Sequence, residues 1–324
     1  MMKAIVRDTY ASPDALELQE IRKPDVADDE VLVRVRAASV NPADWYTATG
    51  TPYFGRLQMG LRKPKIDRLG ADFAGQVEAV GKDVTQFRPG DEVFGGRTGA
   101  FAEYVCFRED RAVVPKPASV TFEEAAAVPV AALTALQGLR DKGRIQPGHK
   151  VLINGASGGV GTFAVQIAKA LGAEVTAVCS TRNVDLVRSI GADHVIDYTR
   201  EDFTRSDRRY DLMLDVAGSR SWSKCKRVLN PQATLVIVGA PKGNRLIGPL
   251  GHVLKVWLAA LRSSQKAVFF IAKFNKPDME ILRELLAAGK VKPVIDRRYA
   301  LSETGDALRY VGEGHARGKV VVTV

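Results

Sequence analysis

The stretch 150-KVLINGASGGVGTFAVQIAKALG-172 decides the fold of this chain. It contains a short apolar strand, a glycine-rich turn and a helical pattern in direct succession, and a parallel sheet buries apolar runs such as Val151–Ile153. Ala156, Gly158 and Gly161 occupy the three positions of the G-x-G-x-x-G fingerprint, with alanine replacing the first glycine. Small residues there let the chain turn tightly and bring backbone N–H groups to a phosphate at the positive end of a helix. The stretch predicts a dinucleotide-binding loop, and an ordinary glycine-rich turn is the alternative.

The helix after this turn carries its apolar residues on one face. They fall at positions 160, 163, 164, 167, 168 and 171, which is the spacing of side chains along one side of an α-helix. A glycine turn between such a helix and a buried strand is the context that a dinucleotide site requires. We therefore assign the loop to a cofactor, with predicted contacts from Ala156, Ser157, Gly158, Gly159, Val160 and Gly161.

Strands and helices alternate after this loop, which predicts an α/β fold with a parallel, doubly wound sheet. A helical stretch over Phe122–Leu139, broken at Pro129, leads into it. The predicted strands are Lys150–Asn154, Glu174–Val178, His194–Tyr198, Tyr210–Val216, Ala233–Gly239 and Ala267–Ala272.

The two ends of the chain have a different pattern. The first 120 residues contain short alternating or apolar runs separated by Gly, Pro and Asp, which predicts an antiparallel β domain. The last strand, KVVVTV, does not fit a cofactor sheet that already has six strands. We therefore expect a β-rich catalytic domain of residues 1–121 and 273–324, a cofactor domain of residues 122–272, and an active site in the cleft between them.

The composition is that of an ordinary globular protein large enough for two domains, with 46% hydrophobic and 26% charged residues among 324. A net charge of +10 is compatible with nucleic acid, a membrane surface or an anionic cofactor as a partner. The basic residues are dispersed and lack aromatic interleaving, so a solvated basic surface is favoured over a nucleic-acid site.

No segment predicts export, a disulfide framework or a membrane span. The chain starts directly with a strand pattern, and its three cysteines lie far apart. The most apolar stretch, Leu246–Leu261, is interrupted by His252 and Lys255 and is too short to span a bilayer. We expect a cytoplasmic protein that has no membrane partner.

The end of the second cofactor-domain strand indicates which dinucleotide is preferred. Domains that prefer NAD place Asp or Glu there, where it accepts a hydrogen bond from the adenosine ribose. Here the strand is followed by Ser180 and Arg182, which can donate to a 2′-phosphate. The sequence predicts NADPH as cofactor; the alternative is that Arg182 only faces solvent.

The domain order and motifs resemble the medium-chain dehydrogenase/reductase superfamily. GASGGVG at 155–161, QIAKALGA at 166–173 and GADHVIDY at 191–198 look like its zinc-independent quinone oxidoreductase branch. SVNPADWY at 39–46 and GHARGKVVV at 314–322 agree with this less specifically. The resemblance covers essentially the whole chain. It implies a GroES-like catalytic domain joined to a Rossmann cofactor domain.

The residues that bind metal in zinc-dependent members of this superfamily are replaced here. Their catalytic cysteine falls where this chain has Asn41–Asp44, and their G-H-E-x-x-G motif corresponds to Gly70–Gly75, with Ala71 in the place of the histidine. The four histidines are scattered without ligand spacing. We therefore expect no metal site. Asp72 stands where the zinc enzymes have an acid behind the metal, and its role is open.

The same resemblance implies which residues surround the reacting groups. Asn41 and Tyr46 would line the substrate pocket, with Tyr53 less directly assigned. Asn41 could orient a carbonyl through its amide N–H, and Tyr46 could donate a hydrogen bond or a proton. The alternatives are a turn-forming Asn before Pro and an aromatic packing residue. The cofactor contacts that the resemblance implies are Ser180, Arg182 and Tyr198 at the 2′-phosphate, and Thr134, Gly239 and Phe270 near the ribose and nicotinamide.

The missing zinc ligands limit the chemistry. Reduction of an isolated carbonyl puts full charge on one oxygen, which a metal would stabilise, whereas a quinone or an α,β-unsaturated carbonyl spreads that charge by conjugation. The expected function is NADPH-dependent hydride transfer to such acceptors. The alternatives are an alcohol or aldehyde dehydrogenase of the same superfamily and a non-catalytic NADPH- or RNA-binding protein. Family members commonly pair their last cofactor-domain strand, and Val268–Ile271 is apolar, so a homodimer is expected.

Overall fold

A computed structural model of the chain describes residues 1–241, 243 and 246–324. The strands are, in chain order, β1 (Met2–Val6), β2 (Glu17–Ile21), β3 (Glu30–Val40), β4 (Asp72–Val80), β5 (Glu92–Gly96), β6 (Tyr104–Arg108), β7 (Val113–Pro115), β8 (Lys150–Asn154), β9 (Glu174–Cys179), β10 (His194–Asp197), β11 (Tyr210–Asp215), β12 (Leu229–Ile237), β13 (Lys266–Phe269), β14 (Ile295–Ala300) and β15 (Lys319–Thr323). The α-helices are α1 (Pro42–Thr49), α2 (Arg56–Met59), α3 (Phe122–Ala126), α4 (Pro129–Gln137), α5 (Gly159–Ala170), α6 (Val184–Ser189), α7 (Trp222–Cys225), α8 (Leu250–Ala260), α9 (Lys276–Ala287) and α10 (Thr304–Glu313).

The chain divides into two compact units. The first consists of Met1–Leu133 with Phe274–Val324, and the second of Thr134–Lys273. The sequence-based division placed the first boundary after residue 121. It lies later in the structure because α3 packs on β3 and β4 of the first unit. The buried residues of this helix, Ala125 and Ala126, face that contact, and its N-terminus is capped by reciprocal hydrogen bonds between Thr121 and Glu124.

The first unit is built on a seven-stranded sheet with the order β14-β15-β3-β4-β5-β7, to which β6 adds by pairing with β3. Along β3, Val31, Val33 and Val35 are buried while Arg34 and Arg36 are exposed, as expected for a strand with one face on a core. The tail returns to this sheet: β15 pairs antiparallel with β3 and parallel with β14.

The second unit contains a six-stranded parallel sheet with the order β10-β9-β8-β11-β12-β13. This is the strand order of a Rossmann fold, so the predicted fold class is confirmed. β8, which precedes the glycine loop, lies at the centre where the order reverses, and in such sheets ligands bind outside the carboxyl ends of the strands at this point.

All six predicted strands of the second unit are present, with shifts at β12 and β13. β12 begins at Leu229 rather than Ala233 because Leu229 pairs with Tyr210 of β11. β13 is an edge strand, and its ladder with β12 ends at Phe269 rather than reaching Ala272. Phe270 therefore lies outside the strand in which it was predicted.

Helix α5 anchors the glycine loop to the sheet. Phe163, Ala164, Ile167 and Ala168 are fully buried, as their spacing predicts, and the helix packs on β8 and β9. No helix in the described ranges is long and apolar enough to cross a membrane.

Candidate active site

The glycine loop turns at Gly155, the residue directly after β8. Gly155 has a φ of +85°, which a residue with a Cβ adopts only under strain. The N–H groups of Gly155 and Ala156 both donate to the carbonyl oxygen of Val178, at 3.2 and 3.0 Å. The sequence analysis gave the first fingerprint position to Ala156. The structure adds that the left-handed residue of the turn is Gly155, which directly precedes that position.

The other two fingerprint glycines meet different surroundings. A Cβ added at Gly161 would lie 2.1 Å from the carbonyl oxygen of Gly155 and 2.7 Å from backbone atoms of Ala156. A Cβ added at Gly158 would approach only that same carbonyl oxygen, at 3.7 Å. Gly161 is therefore needed for the packing of the helix against the turn, whereas Gly158 leaves open space above the loop.

Asn183 ties the glycine loop to the end of β9, and sequence reasoning missed it. Its side-chain Nδ2 lies 2.9 Å from Oγ of Ser157 and 3.2 Å from Oγ of Ser180, so it joins two predicted cofactor contacts. Its Oδ1 is buried and has no hydrogen-bond partner among the described residues. A polar residue in the first turn after β9 was the only available signal, because its partner in the glycine loop is distant in sequence.

The residues predicted around a 2′-phosphate lie at the carboxyl ends of β9 and β10. Ser180 is half-buried, Arg182 is exposed and Tyr198 is 52% exposed. The backbone N–H of Tyr198 donates to the carbonyl oxygen of Cys179, which brings the two strand ends together. Asp197 is a nearby carboxylate, and its oxygens accept hydrogen bonds from the hydroxyls of Thr181 and Thr199.

The remaining predicted cofactor contacts lie on other elements than the glycine loop. Thr134 lies on α4 and is half-buried. Gly239 follows β12, where its N–H donates to the carbonyl oxygen of Asp215 and an added Cβ would meet the carbonyl oxygen of Val216 at 1.9 Å. Phe270 follows β13. These three positions stay predictions.

A buried polar network lies in the first unit, and Asp72 is at its centre. Its Oδ2 accepts hydrogen bonds from Oγ of Ser39 at 2.8 Å and from Nδ2 of Asn41 at 2.9 Å. Its Oδ1 accepts from the backbone N–H of Val130 at 3.0 Å, at the start of α4. Asp72 is fully buried, and burial raises the pKa of its carboxyl group, while Lys319 opposes this. The sequence left the role of Asp72 open. In the structure, its hydrogen bonds join β3, α1 and α4.

Lys319 supplies the positive charge of this network. Its Nζ lies 3.6 Å from Oδ2 of Asp72, donates to Oδ1 of Asn41 and is 3.4 Å from the carbonyl oxygen of Val40. Only 3% of the side chain is exposed, and burial lowers the pKa of its ammonium group. Sequence reasoning used this lysine only as part of GHARGKVVV. A lysine at the start of the apolar run VVV was the signal that it could be buried and paired.

These contacts change the interpretation of Asn41. Its amide Nδ2 has two hydrogens, and Asp72 takes one at 2.9 Å while the carbonyl oxygen of Ser39 lies 3.5 Å away. Its Oδ1 accepts from Lys319, and the residue is buried. Both the donor and the acceptor group of Asn41 therefore have partners within the protein. We infer that Asn41 positions the start of α1, which presents Tyr46.

Tyr46 lies on α1 and is half-buried, and burial raises the pKa of its hydroxyl. The ring packs edge-on against Trp45 with centroids 5.2 Å apart, so the packing role considered as an alternative is also present. No described residue forms a hydrogen bond with its hydroxyl, which leaves that group available to donate to a ligand. Tyr53 lies outside α1 and stacks on the guanidinium of Arg56, at 4.6 Å.

Asp44 is a second buried carboxylate beside the network. Its Oδ2 accepts from the backbone N–H of Asn41 at 2.8 Å and so caps α1. Burial, and then the charge of Asp72, raise the pKa of Asp44 to about 7. The folded protein therefore holds a proton on Asp44 at pH values where the unfolded chain has lost it.

Replacing Asp44 by asparagine is expected to flatten the pH dependence of stability. The pKa of Asp44 is higher in the folded protein than in the unfolded chain. Its contribution to the free energy of unfolding is therefore full below pH 4 and is lost as pH rises through about 7. One such proton changes the free energy of unfolding by at most about 1.4 kcal/mol per pH unit. Chemical denaturation of both proteins between pH 5 and pH 8 measures this slope. Parallel curves would show that Asp44 is ionised throughout.

The position that corresponds to a zinc-binding histidine, Ala71, lines a cavity of about 340 Å³ in the first unit together with Arg97 and Lys276. Among residues 1–241, 243 and 246–324, no three His, Cys, Asp or Glu side chains are close enough together to hold a metal ion.

The glycine loop fits the pyrophosphate of a dinucleotide. The space above Gly158 is open, and the first N–H groups of α5 belong to a helix start, where donors have no intrahelical acceptor. Ser157 and Ser180 are held side by side through Asn183, whose buried Oδ1 can still accept a hydrogen bond. These groups would hold a bound dinucleotide at the carboxyl end of β8.

Two protein families match the chain. Residues 27–118 match the alcohol dehydrogenase GroES-like domain, and residues 190–322 match a family described as zinc-binding dehydrogenase. The first match falls within the first unit, and the second begins before β10 and runs to the last strand.

Three of the known proteins that are similar to the chain are oxidoreductases by name. A mitochondrial NAD(P)H oxidoreductase of Mus musculus is 36% identical over 100% of this chain and 89% of its own length. A 2-methylene-furan-3-one reductase of Solanum lycopersicum is 33% identical over 99% of this chain and 79% of its own. The quinone oxidoreductase from Coxiella burnetii has a solved structure with a TM-score of 0.86 and 31% identity, covering 100% of this chain and 99% of that one.

Proposed function

The chain belongs to the zinc-independent, quinone-oxidoreductase-like branch of the medium-chain dehydrogenase/reductase superfamily, and on this basis we propose that it reduces quinones or α,β-unsaturated carbonyls with NADPH. One observation carries the proposal: the same chain has a glycine loop that is open at Gly158 and an alanine, Ala71, in place of a zinc-binding histidine. The loop supports a nicotinamide dinucleotide, and the missing ligand supports acceptors that need no metal.

The names of the relatives support both acceptor classes. One is a quinone oxidoreductase, and the other is named for a furanone whose exocyclic methylene is conjugated with its ketone. Both acceptors spread the negative charge that hydride addition produces, so a few hydrogen-bond donors suffice.

The two units have different roles in the proposed reaction. When bound, the dinucleotide supplies the hydride. The glycine loop and Ser157 would orient the dinucleotide through its phosphates. The hydroxyl of Tyr46, which has no partner among the described residues, would donate a hydrogen bond to the acceptor oxygen. The network of Asp72, Lys319 and Asn41 holds α1, and with it Tyr46, in place.

An acceptor panel tests this function directly. With NADPH, kcat/KM for quinones or conjugated enals and enones should exceed that for saturated aldehydes at least a hundredfold, a difference of about 2.7 kcal/mol in transition-state stabilisation. Parallel measurements of NADPH oxidation with both classes, in chelator, give the ratio. Equal rates with saturated aldehydes would favour an alcohol or aldehyde dehydrogenase, and a stoichiometric zinc ion would point the same way.

The preference for NADPH rests on the end of β9. The hydroxyl of Ser180 and the guanidinium of Arg182 can donate to a 2′-phosphate, while the nearby carboxylate of Asp197 is occupied by Thr181 and Thr199.

Replacing Arg182 by alanine should weaken NADPH binding at least tenfold and leave NADH binding nearly unchanged. A lost charged hydrogen bond costs about 1.5–3 kcal/mol, and NADH has no phosphate at this position. Arg188→Ala on α6 is the matched control, since that arginine is also exposed and faces Asp185. Fluorescence titration gives the four dissociation constants. Equal losses for both dinucleotides would mean that Arg182 acts through folding.

We further propose a homodimer. β13 is the edge strand of the cofactor sheet, and its outer backbone groups can pair with a second copy. Sedimentation velocity measures the subunit number.

A further inference from the structure

The polar cavity of the first unit that Ala71 lines has no role in the reaction described so far. It lies where the end of β5, the segment before β7 and the start of α9 meet, since β7 pairs with β5 and packs against α9. Its volume of about 340 Å³ falls within the range of about 300–1,000 Å³ that small-molecule sites have. The polar and charged side chains that line it are Arg97, Thr98, Asp110, Arg111, Asn275 and Lys276.

The cavity has an excess of positive charge. Among the described lining residues, Arg97, Arg111 and Lys276 are cationic and only Asp110 is anionic. Oδ1 of Asp110 is shared between Nε of Arg108 at 3.7 Å and Nε of Arg111 at 3.8 Å, and all three side chains are more than half exposed. Such exposed pairs are weak, so the cavity favours a ligand with negative charge.

Arg97 is held in place by a neutral group. Its Nε donates to the carbonyl oxygen of Cys106 at 2.9 Å, and it has no ion-pair partner in the described part of the chain. Its terminal amino groups therefore remain as donors for a ligand. The hydroxyl of Thr98, the next residue, likewise has no hydrogen-bond partner among the described residues. A guanidinium beside a hydroxyl suits a carboxylate, which accepts several hydrogen bonds at once.

Lys276 adds a second cation, which is the first residue of α9 and half-buried. Its Nζ donates to Oε1 of Gln86 and lies 5.2 Å from the ring centroid of Phe87, so both of these partners are neutral. The pKa of Glu109 is lowered mainly by the backbone N–H groups of Thr85 and Gln86, each 3.0 Å from Oε2, and less by Lys276. The ammonium of Lys276 is therefore not used up by a carboxylate of the protein.

One wall of the cavity is apolar. Phe274 is 45% exposed, and its ring packs on Gly96, where an added Cβ would lie 2.0 Å from it. Ala71 is part of the same lining and stands in the place of a histidine that binds a metal, which would stabilise the substrate oxygen. This places the cavity on the substrate side of the first unit. An aromatic wall next to cations suits a flat, conjugated molecule with an acidic group.

We propose that the acceptor is an acidic molecule and that this cavity binds its carboxylate. Arg97 and Lys276 hold the carboxylate, and Phe274 packs on the flat part of the molecule. The proposal rests on the proposed reduction of conjugated acceptors and adds the charge that they carry.

Binding without turnover tests the cavity itself. Benzoylpropionate has an aromatic ketone and a carboxylate but no conjugated double bond, and its methyl ester is the neutral counterpart. In calorimetry the acid should bind at least about tenfold more tightly than the ester, the contribution of one charged hydrogen bond, and salt should weaken only the acid. Equal affinities would overturn the proposal.

Two double variants locate the site. Arg97→Gln with Lys276→Gln should weaken binding of benzoylpropionate at least about tenfold. The matched control, Arg22→Gln with Lys82→Gln, removes the same charge from two exposed ion pairs of the first unit and should bind as the unchanged protein does. Equal losses would show that net charge alone attracts the acid, and the assignment to the cavity would be wrong.

Asp110→Asn should act in the opposite direction. It removes the carboxylate that repels the ligand, so benzoylpropionate should bind about three- to fivefold more tightly, the effect of one exposed charge. A variant that was only damaged in folding would not gain affinity. Unchanged or weaker binding would mean that the acid lies elsewhere.

Turnover separates this proposal from the proposed function. Benzoylacrylate and its methyl ester are both conjugated enones, and they differ in charge. Arg97→Gln with Lys276→Gln should lower the ratio of kcat/KM for the acid to that for the ester at least about tenfold. If the ester is reduced and this ratio stays constant, the reaction class stands and the carboxylate site is wrong. If neither enone is reduced although benzoylpropionate binds, the proposed function fails and the bound acid is not an acceptor.

Discussion

Replacing Lys319 by methionine is expected to lower the free energy of unfolding by about 3–5 kcal/mol, the range for removal of one partner of a buried ion pair. Methionine preserves most of the side-chain volume, so the loss arises from charge rather than from a cavity. Asp72 would stay fully buried with a carboxylate that has lost its cation, and Asp44 lies beside it. Denaturant unfolding at pH 8 measures the loss.

The same substitution should show a characteristic pH dependence. Without Lys319, the folded pKa of Asp72 rises further above its unfolded value, so the variant becomes less stable as pH increases. Its deficit should therefore be smaller at pH 5 than at pH 8. A second change, Asp72→Asn, removes the unpaired charge and should restore part of the stability.

Lys82→Met is the matched control, because Lys82 forms an ion pair with Asp28 at 2.9 Å with both side chains exposed. Such surface pairs contribute about 0–1 kcal/mol. If Lys319→Met were no more damaging than Lys82→Met, Lys319 would not be part of a buried charge network.

The glycine loop gives the second large effect, because two fingerprint glycines are expected to fail in different ways. Gly161→Val should lower the free energy of unfolding by about 3 kcal/mol, since its Cβ would lie 2.1 Å from a backbone carbonyl oxygen that cannot move without opening the turn. Gly158→Ala should change stability by less than about 1 kcal/mol, because its Cβ meets nothing closer than 3.7 Å.

Gly158→Ala, which is expected to be harmless to stability, should instead weaken cofactor binding. The methyl group of Gly158→Ala stands in the open space that the pyrophosphate would use, so NADPH should bind more weakly to a protein that is still fully folded. Denaturant unfolding without cofactor and fluorescence titration with NADPH separate the two effects. Normal NADPH affinity in Gly158→Ala would place the phosphates elsewhere, and normal stability in Gly161→Val would show that the turn can relax.

The cofactor domain was predictable because its signals are local. The strand, the turn and α5 follow one another without interruption, and the apolar spacing of α5 corresponds to residues that are fully buried. The left-handed turn residue Gly155 was not singled out, although a tight turn directly after a strand favours glycine. Strand ends were less predictable, because β12 and β13 begin and end where a neighbouring strand stops pairing.

The polar network could not be predicted, because its members are far apart in sequence. Asn41 and Lys319 are separated by 278 positions, and only the pairing of β15 with β3 brings them together. The sequence indicated Asn41 only as a donor that could orient a carbonyl through its amide N–H. It could not show that Asn41 also hydrogen-bonds with Asp72 and Lys319, which supports a role in holding α1, and the predicted substrate contact stays a prediction.

The place of β15 inside the sheet of the first unit affects how the protein is made. During translation, residues 134–273, which form the whole second unit, are synthesised before β15. Until then the first unit lacks an interior strand between β14 and β3, and Asp72 lacks Lys319. A chain truncated before Lys319 would lack both, so such a truncation should be as harmful as one far upstream.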